Sequence, residues 1–182
     1  MKVCKYFIFT LFLVCASCGK SEKQQVKELY QNWEGREVLF PTNPVFTIMG
    51  RDTVAAPPMD TDYKILSYVD SVGCTSCKLN LLLWDDLIHE MDTLARGKVS
   101  VLFYMNPNNF HELRNVLIHD GFHYPVCIDL DDAMNKLNHF PADSRYQTFL
   151  LDSSNRVVGI GDPVRYPAIK TLYLKKILGQ YQ

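Results

Sequence analysis

The stretch KILSYVDSVGCTSCKLNLLLWDDLIHEMDTL, Lys64 to Leu94, decides how the chain is read. Lys64 to Val69 is apolar and aromatic and predicts a strand. Cys77 to Leu94 predicts a helix. Leu79, Leu82, Leu83, Leu87 and Met91 recur at spacings of three to five, while Asp85, Asp86 and Glu90 take the other face. Between strand and helix stands Cys74-Thr75-Ser76-Cys77. At a helix start the first cysteine meets unpaired backbone N–H groups and the positive end of the helix dipole, and both favour thiolate over thiol. The second cysteine lies one turn on and can close a disulfide onto the first. Thiol–disulfide exchange needs this pair: an attacking thiolate, and a resolving thiol that releases the mixed disulfide. Cys74 is therefore read as nucleophile and Cys77 as resolver. Asp70 is the nearest acid and the candidate acceptor for the proton of the resolving thiol. Its plain alternative is a solvated carboxylate at a strand end.

The chain beyond this stretch is regular. Val99 to Met105 predicts a strand buried on both faces. Asn108 to His119 predicts a helix stopped by Gly121. Tyr124 to Ile128 predicts a strand, and Asp132 to His139 a short helix ended before Pro141. Tyr146 to Leu151 and Arg156 to Ile160 form a hairpin across Asp152 to Asn155, and Pro167 to Leu178 closes the chain as a helix. The order β-α-β-α-β-α-β-β-α implies a central mixed sheet with helices on both faces. Upstream, Gly19 to Lys27 reads as a polar tether and Val26 to Trp33 as a short helix. Glu37 to Phe40 and Val45 to Met49 read as strands joined by the turn Pro41 to Pro44, and Thr53 to Asp62 as a loop.

The first residues, MKVCKYFIFTLFLVCAS, carry Lys2 and Lys5 ahead of an apolar run, Tyr6 to Val14. The run is too short to span a bilayer and suits the apolar core of an export signal. Ala16 and Ser17 then lead directly into Cys18. This ending resembles the lipobox of bacterial lipoproteins, with Cys15 where leucine is usual. The resemblance implies cleavage after Ser17, a lipid on Cys18, and a place in the cell envelope, periplasmic or on the outer surface. The expected division is a signal over 1–17, a tether and N-terminal extension over 18–62, and the main domain over 63–182. Without the signal, 165 residues remain, 17 basic against 20 acidic, with a net charge of −3. The compartment permits disulfides. Of the six cysteines, Cys74, Cys77 and Cys127 remain for chemistry, and Cys127 is read as a core residue.

This charge balance gives no electrostatic case for nucleic acid. Zinc would need Cys74 and Cys77 to combine with His119 and His123. The gap of about 41 residues far exceeds the usual finger spacing, so no metal and no cofactor is expected. A peroxidatic cysteine in a Pro-x-x-x-Thr-x-x-Cys setting is absent, since neither Pro nor Thr stands at the matching places before Cys74. Gly159-x-Gly161 falls at a hairpin end and carries no phosphate-loop context.

A strand, the element Gly73-Cys74-Thr75-Ser76-Cys77, a long helix and a late Gln147-Thr148-Phe149-Leu150-Leu151-Asp152 strand together resemble the thioredoxin superfamily. The insertion carrying Tyr124-Pro125-Val126-Cys127-Ile128-Asp129 is similar to its TlpA-like and peroxiredoxin-related branch. The resemblance covers roughly Lys64 to Leu178. It implies a three-layer α/β/α sandwich with a mixed sheet and a short N-terminal β extension. It also implies a membrane-tethered disulfide oxidoreductase acting on cysteine-containing proteins, with a second redox partner to recharge it. Two positions depart from the family pattern. Gly73 replaces an aromatic residue, and Gln147 stands where the family places a substrate-facing cis-proline. A non-proline cis bond costs about 3–4 kcal/mol, so Gln147 is expected to be trans. The competing reading is a binding module of the same fold, its Cys74–Cys77 disulfide purely structural.

Overall fold

The computed structural model describes residues 21–72 and 79–180. The expected signal over 1–17, Cys18, Cys74 and Cys77 lie outside the described residues. The chain divides into two compact units, Met1–Asn32 and Trp33–Gln182. Helix α1 (Glu22–Trp33) carries the described part of the first unit. It begins earlier than the sequence pattern suggests, inside the expected tether. Ser21 explains the start, because its hydroxyl accepts the Gln24 N–H at 3.3 Å and Glu22 sits in the positive first turn.

The second unit is built on a seven-stranded sheet of order β2-β1-β5-β4-β3-β6-β7. The strands are β1 (Phe46–Ile48), β2 (Asp52–Val54), β3 (Tyr63–Val69), β4 (Val99–Met105), β5 (Val126–Ile128), β6 (Thr148–Asp152) and β7 (Val157–Ile160). The helices are α2 (Leu81–Ala95), α3 (Phe110–His119), α4 (Ala133–Asn138) and α5 (Pro167–Ile177). β3 pairs parallel with β4 from Tyr63↔Val99 to Val69↔Met105, and antiparallel with β6 from Tyr63↔Asp152 to Ser67↔Thr148. The mixed sheet is the one expected from the order of elements.

The two faces of the sheet are covered differently. On one, Ile65, Val69, Val101, Phe103 and Leu150 share a core with Trp84, Leu87 and Met91 of α2, Leu113 and Leu117 of α3, and Tyr173 and Ile177 of α5. Both parallel crossovers, β3-α2-β4 and β4-α3-β5, step in one direction along the sheet. Right-handed connections therefore put α2 and α3 on the same side. The opposite face is aromatic. Trp33 packs on Phe140 at 5.7 Å and Phe149 at 4.8 Å, Tyr68 on Phe140 at 4.8 Å, and Phe40 and Phe46 on Tyr104. Such ring pairs contribute about 0.5–1.5 kcal/mol each beyond area burial.

Three expectations are corrected. Glu37 to Phe40 is not a strand beside β1; only an isolated bridge, Glu37↔Arg156, forms there. The Asn138 side chain takes the place of a partner strand, accepting the Leu39 N–H at 2.9 Å and donating to the Leu39 carbonyl at 2.8 Å. β1 instead turns back through Met49 and Gly50, both at positive φ, to pair with β2, whose residues had read partly as loop. The helix expected to run unbroken from Cys77 is interrupted at Asn80, which adopts a left-handed conformation (φ 43°, ψ 44°), and α2 runs from Leu81; the expected start at Cys77 lies outside the described residues. The break resets the helical phase. Leu81, Trp84, Ile88, Met91 and Ala95 are buried, whereas Leu82 and Leu83, expected in the core, are 68% and 48% exposed.

Asn138 is itself buried and also donates to the Met134 carbonyl at 2.8 Å. Asn138→Ala should lower the unfolding free energy by about 1–3 kcal/mol, since it strands the polar groups of Leu39 and Met134. A urea titration against the wild type measures the loss.

Candidate functional site

The residues on either side of 73–78 are held firmly. β3 ends at Val69, whose carbonyl accepts the Asn106 N–H at 2.8 Å. Asp70 follows, half-buried, and its Oδ1 accepts the Val72 N–H at 3.0 Å. The Asn108 amide donates to the Ser71 carbonyl, tying this exit to the loop after β4. On the far side, Leu79 is buried in the main core.

Gln147 approaches from across the sheet. A short 3-10 turn, Ser144–Tyr146, delivers it to the start of β6. Its carbonyl accepts the Tyr68 N–H at 3.0 Å. Among the described residues every peptide bond is trans, as expected for Gln147. The side chain is 3% exposed, and its Nε2 donates to Asp70 Oδ2 at 2.7 Å and to the Pro141 carbonyl at 2.9 Å. The structure thus brings together Asp70 and Gln147, two sequence-derived candidates 77 positions apart. A cleft opens beside them, lined by Val69, Leu79, Trp84, Gln147, Thr148 and Arg165. Val69 and Leu79 bracket the dithiol segment in sequence.

Two charged residues of the cleft escaped the sequence reading. Asp162 is buried after β7 and accepts the Val164 N–H at 2.9 Å and the Arg165 N–H at 3.3 Å. Arg165 Nε lies 3.2 Å from Asp162 Oδ2. With the Asn80 amide oriented so that its oxygen faces the guanidinium, Asn80 accepts from Arg165 Nε at 2.9 Å and Nη2 at 3.3 Å. Burial pushes the Asp162 carboxyl above the usual carboxylate range, against the pull of its two N–H donors and of Arg165. The Asp162-Pro163 step, a common turn opening, was the one local signal for this network. On the aromatic face, the Tyr68 hydroxyl donates to Asp132 Oδ1 at 2.6 Å; burial first, then this bond, raises the phenol pKa and keeps it a donor.

The remaining candidates lie apart from the cleft. His119 is exposed and pairs with Asp120 at 2.8 Å, and His123 Nδ1 meets the Gly121 carbonyl at 2.7 Å. Among the described residues no group of three or more His, Cys, Asp and Glu is arranged to hold a metal. Trp84 is a core residue, edge-on to Phe103 at 5.0 Å. Cys127 is a buried free thiol on β5 beside Phe46 and Tyr104.

No protein-family model and no curated protein matches the chain. Solved structures match it at the level of fold, and the fold is thioredoxin-like. The bacterioferritin comigratory protein of Xanthomonas campestris, an alkyl peroxide reductase, superposes with a TM-score of 0.51 at 15% identity over 75% of this chain and 90% of its own. The thioredoxin domain of a thiol-disulfide oxidoreductase from Bacteroides vulgatus gives 0.52 at 10% identity over 77% and 97%.

Burial raises the Cys127 thiol from its ordinary value near 9 to about 11, helped by the Asp129 charge and opposed by a backbone bond at Val45. Folding therefore favours the protonated thiol. Its contribution to stability is complete below pH 9 and falls as pH rises toward 11. In a protein whose only cysteine is Cys127, iodoacetamide should label the thiol at pH 8 only after urea is added. Cys127→Ala should remove part of the stability loss measured between pH 8 and pH 10.5.

Proposed function

We propose that the chain is a lipid-anchored thiol–disulfide oxidoreductase of the cell envelope, with Cys74 and Cys77 as its working pair. The observation that carries the reading is the cleft where the end of β3, Leu79 and Gln147 converge at the two ends of the Cys74–Cys77 segment, on a thioredoxin-like fold. In open α/β sheets the carboxyl ends of the parallel strands are where ligands gather. Val72, Leu82 and Leu83, which flank the segment in sequence, are exposed apolar side chains of the kind that a cysteine-containing polypeptide would cover.

The chemistry balances as follows. The Cys74 thiolate attacks one sulfur of a substrate disulfide, forms a mixed disulfide and releases a substrate thiolate. Cys77 gives its proton to Asp70, and its thiolate attacks the Cys74 sulfur. A Cys74–Cys77 disulfide forms and the second substrate thiolate leaves. The substrate gains two electrons and the dithiol loses two, to be restored by a dithiol partner; the reverse sequence oxidises a substrate. Gln147 stands at the substrate-facing position of the family's proline, with its own side chain turned in toward Asp70.

Cys77→Ser should accumulate a mixed disulfide through Cys74, seen as adducts that collapse on adding dithiothreitol. Their absence from intact envelopes, together with a Cys74–Cys77 bond that glutathione does not reduce (a potential below about −300 mV), would establish the structural-disulfide module instead.

The lipid anchor rests on Ala16-Ser17-Cys18. Several acyl chains on one cysteine hold a protein to a bilayer more firmly than one chain does. An alkynyl palmitate probe should label the wild type, and Cys18→Ser should lose the label and move out of the membrane fraction. Labelling that persists in Cys18→Ser would sink the anchor.

A further inference from the structure

We propose that Gln147 is a positioning residue for Asp70: its side-chain amide straps the end of β3 to the turn before β6 and holds the Asp70 carboxylate in its ionised form beside the cleft. This rests on the proton-acceptor role given to Asp70 above. Three observations carry it. The amide is buried, and the two bonds of its nitrogen run to groups that only accept, Asp70 Oδ2 at 2.7 Å and the Pro141 carbonyl at 2.9 Å. These partners fix which end of the amide faces them: the nitrogen must, because neither the carbonyl nor a carboxylate can donate. The Gln147 carbonyl is bound in turn by the Tyr68 N–H at 3.0 Å, so the backbone that carries the amide is pinned two residues before Asp70.

An N–H aimed at a carboxylate stabilises the charged form more than the protonated one. Val72 adds a second donor on Oδ1 at 3.0 Å. A proline at position 147 would have no donor to offer. This chain therefore uses the position for acid–base control rather than for ring packing alone. Titratable groups near Asp70 include Tyr68 on β3 and Asp132 before α4, which the Tyr68 hydroxyl binds, and Asp162 and Arg165 line the same cleft as Gln147.

The test follows the Asp70 side-chain carboxyl carbon by NMR through a pH titration, in wild type and in Gln147→Met, which keeps length and removes the donor. The Asp70 midpoint should rise by about one pH unit. In the oxidised-to-reduced exchange assay, the limb of the pH–rate profile that Asp70→Asn abolishes should move by the same amount in Gln147→Met. Gln147→Met added to Asp70→Asn should change the rate no further. If Gln147→Met does not fold, Gln147→Asn answers the same question, since it keeps the amide but draws its N–H back from Asp70, and the midpoint should rise there as well. An unmoved Asp70 midpoint in a folded variant overturns the strap. A wild type that exchanges no thiols overturns the oxidoreductase reading instead, and the carbon titration still decides the strap.

Discussion

Strand β3 is the constraint on which the rest of the second unit is hung. It is hydrogen-bonded along both sides, in parallel to β4 over seven residues and antiparallel to β6 over five. Both of its faces are covered, so its register admits no slip: a shift of one residue would carry Ile65 and Val69 out of the helical core and Tyr68 into it. The parallel partner demands a crossover, which is α2. The antiparallel partner brings the start of β6, and with it Gln147, to the exit of β3. The cleft follows from these two pairings before any side chain of the site is considered.

The unequal coats of the sheet have one cause in connection rules and another in composition. Right-handed crossovers place α2 and α3 together, and α5 joins them through Tyr173 and Ile177. The opposite face is left with the six-residue α4, too short to cover it. Aromatic rings from Trp33, Phe40, Phe46 and Phe140 complete the cover. Large planar side chains bury much area per residue ordered, which suits a face closed by irregular backbone.

What could be read from the sequence was whatever repeats at a fixed period. β3 and β4 declared themselves as continuous apolar runs, and the closing hairpin and helix by their turn and proline signals. The Cys74-x-x-Cys77 element stood out because a strand precedes it and a helical pattern follows. What failed was phase and long-range replacement. The leucines of 79–83 fit a helix in more than one phase, and only the left-handed Asn80 selects the one that exposes Leu82 and Leu83. Glu37 to Phe40 looks like a strand because it is extended and apolar, yet a side-chain amide 99 residues away takes the place of its neighbour. The contact between Asp70 and Gln147 is of the same kind. Each residue was singled out for its own position, and no local pattern could join them.

The sheet ends on two edges, and neither invites another chain. At one, residues 35–38 bind β7 and the turn before it: the Gly35 N–H donates to the Val157 carbonyl at 2.8 Å, the Val157 N–H to the Arg36 carbonyl at 2.9 Å, and the Val38 N–H to the Asn155 carbonyl at 2.9 Å. The segment that fails to become a strand thus caps the edge it lies along. At the other edge β2 is three residues long and presents Asp52 to solvent. Short, charged or covered edges deny a template to edge-to-edge assembly. A sheet of seven strands can therefore be packed densely beside its copies without seeding the cross-strand growth that leads to fibres.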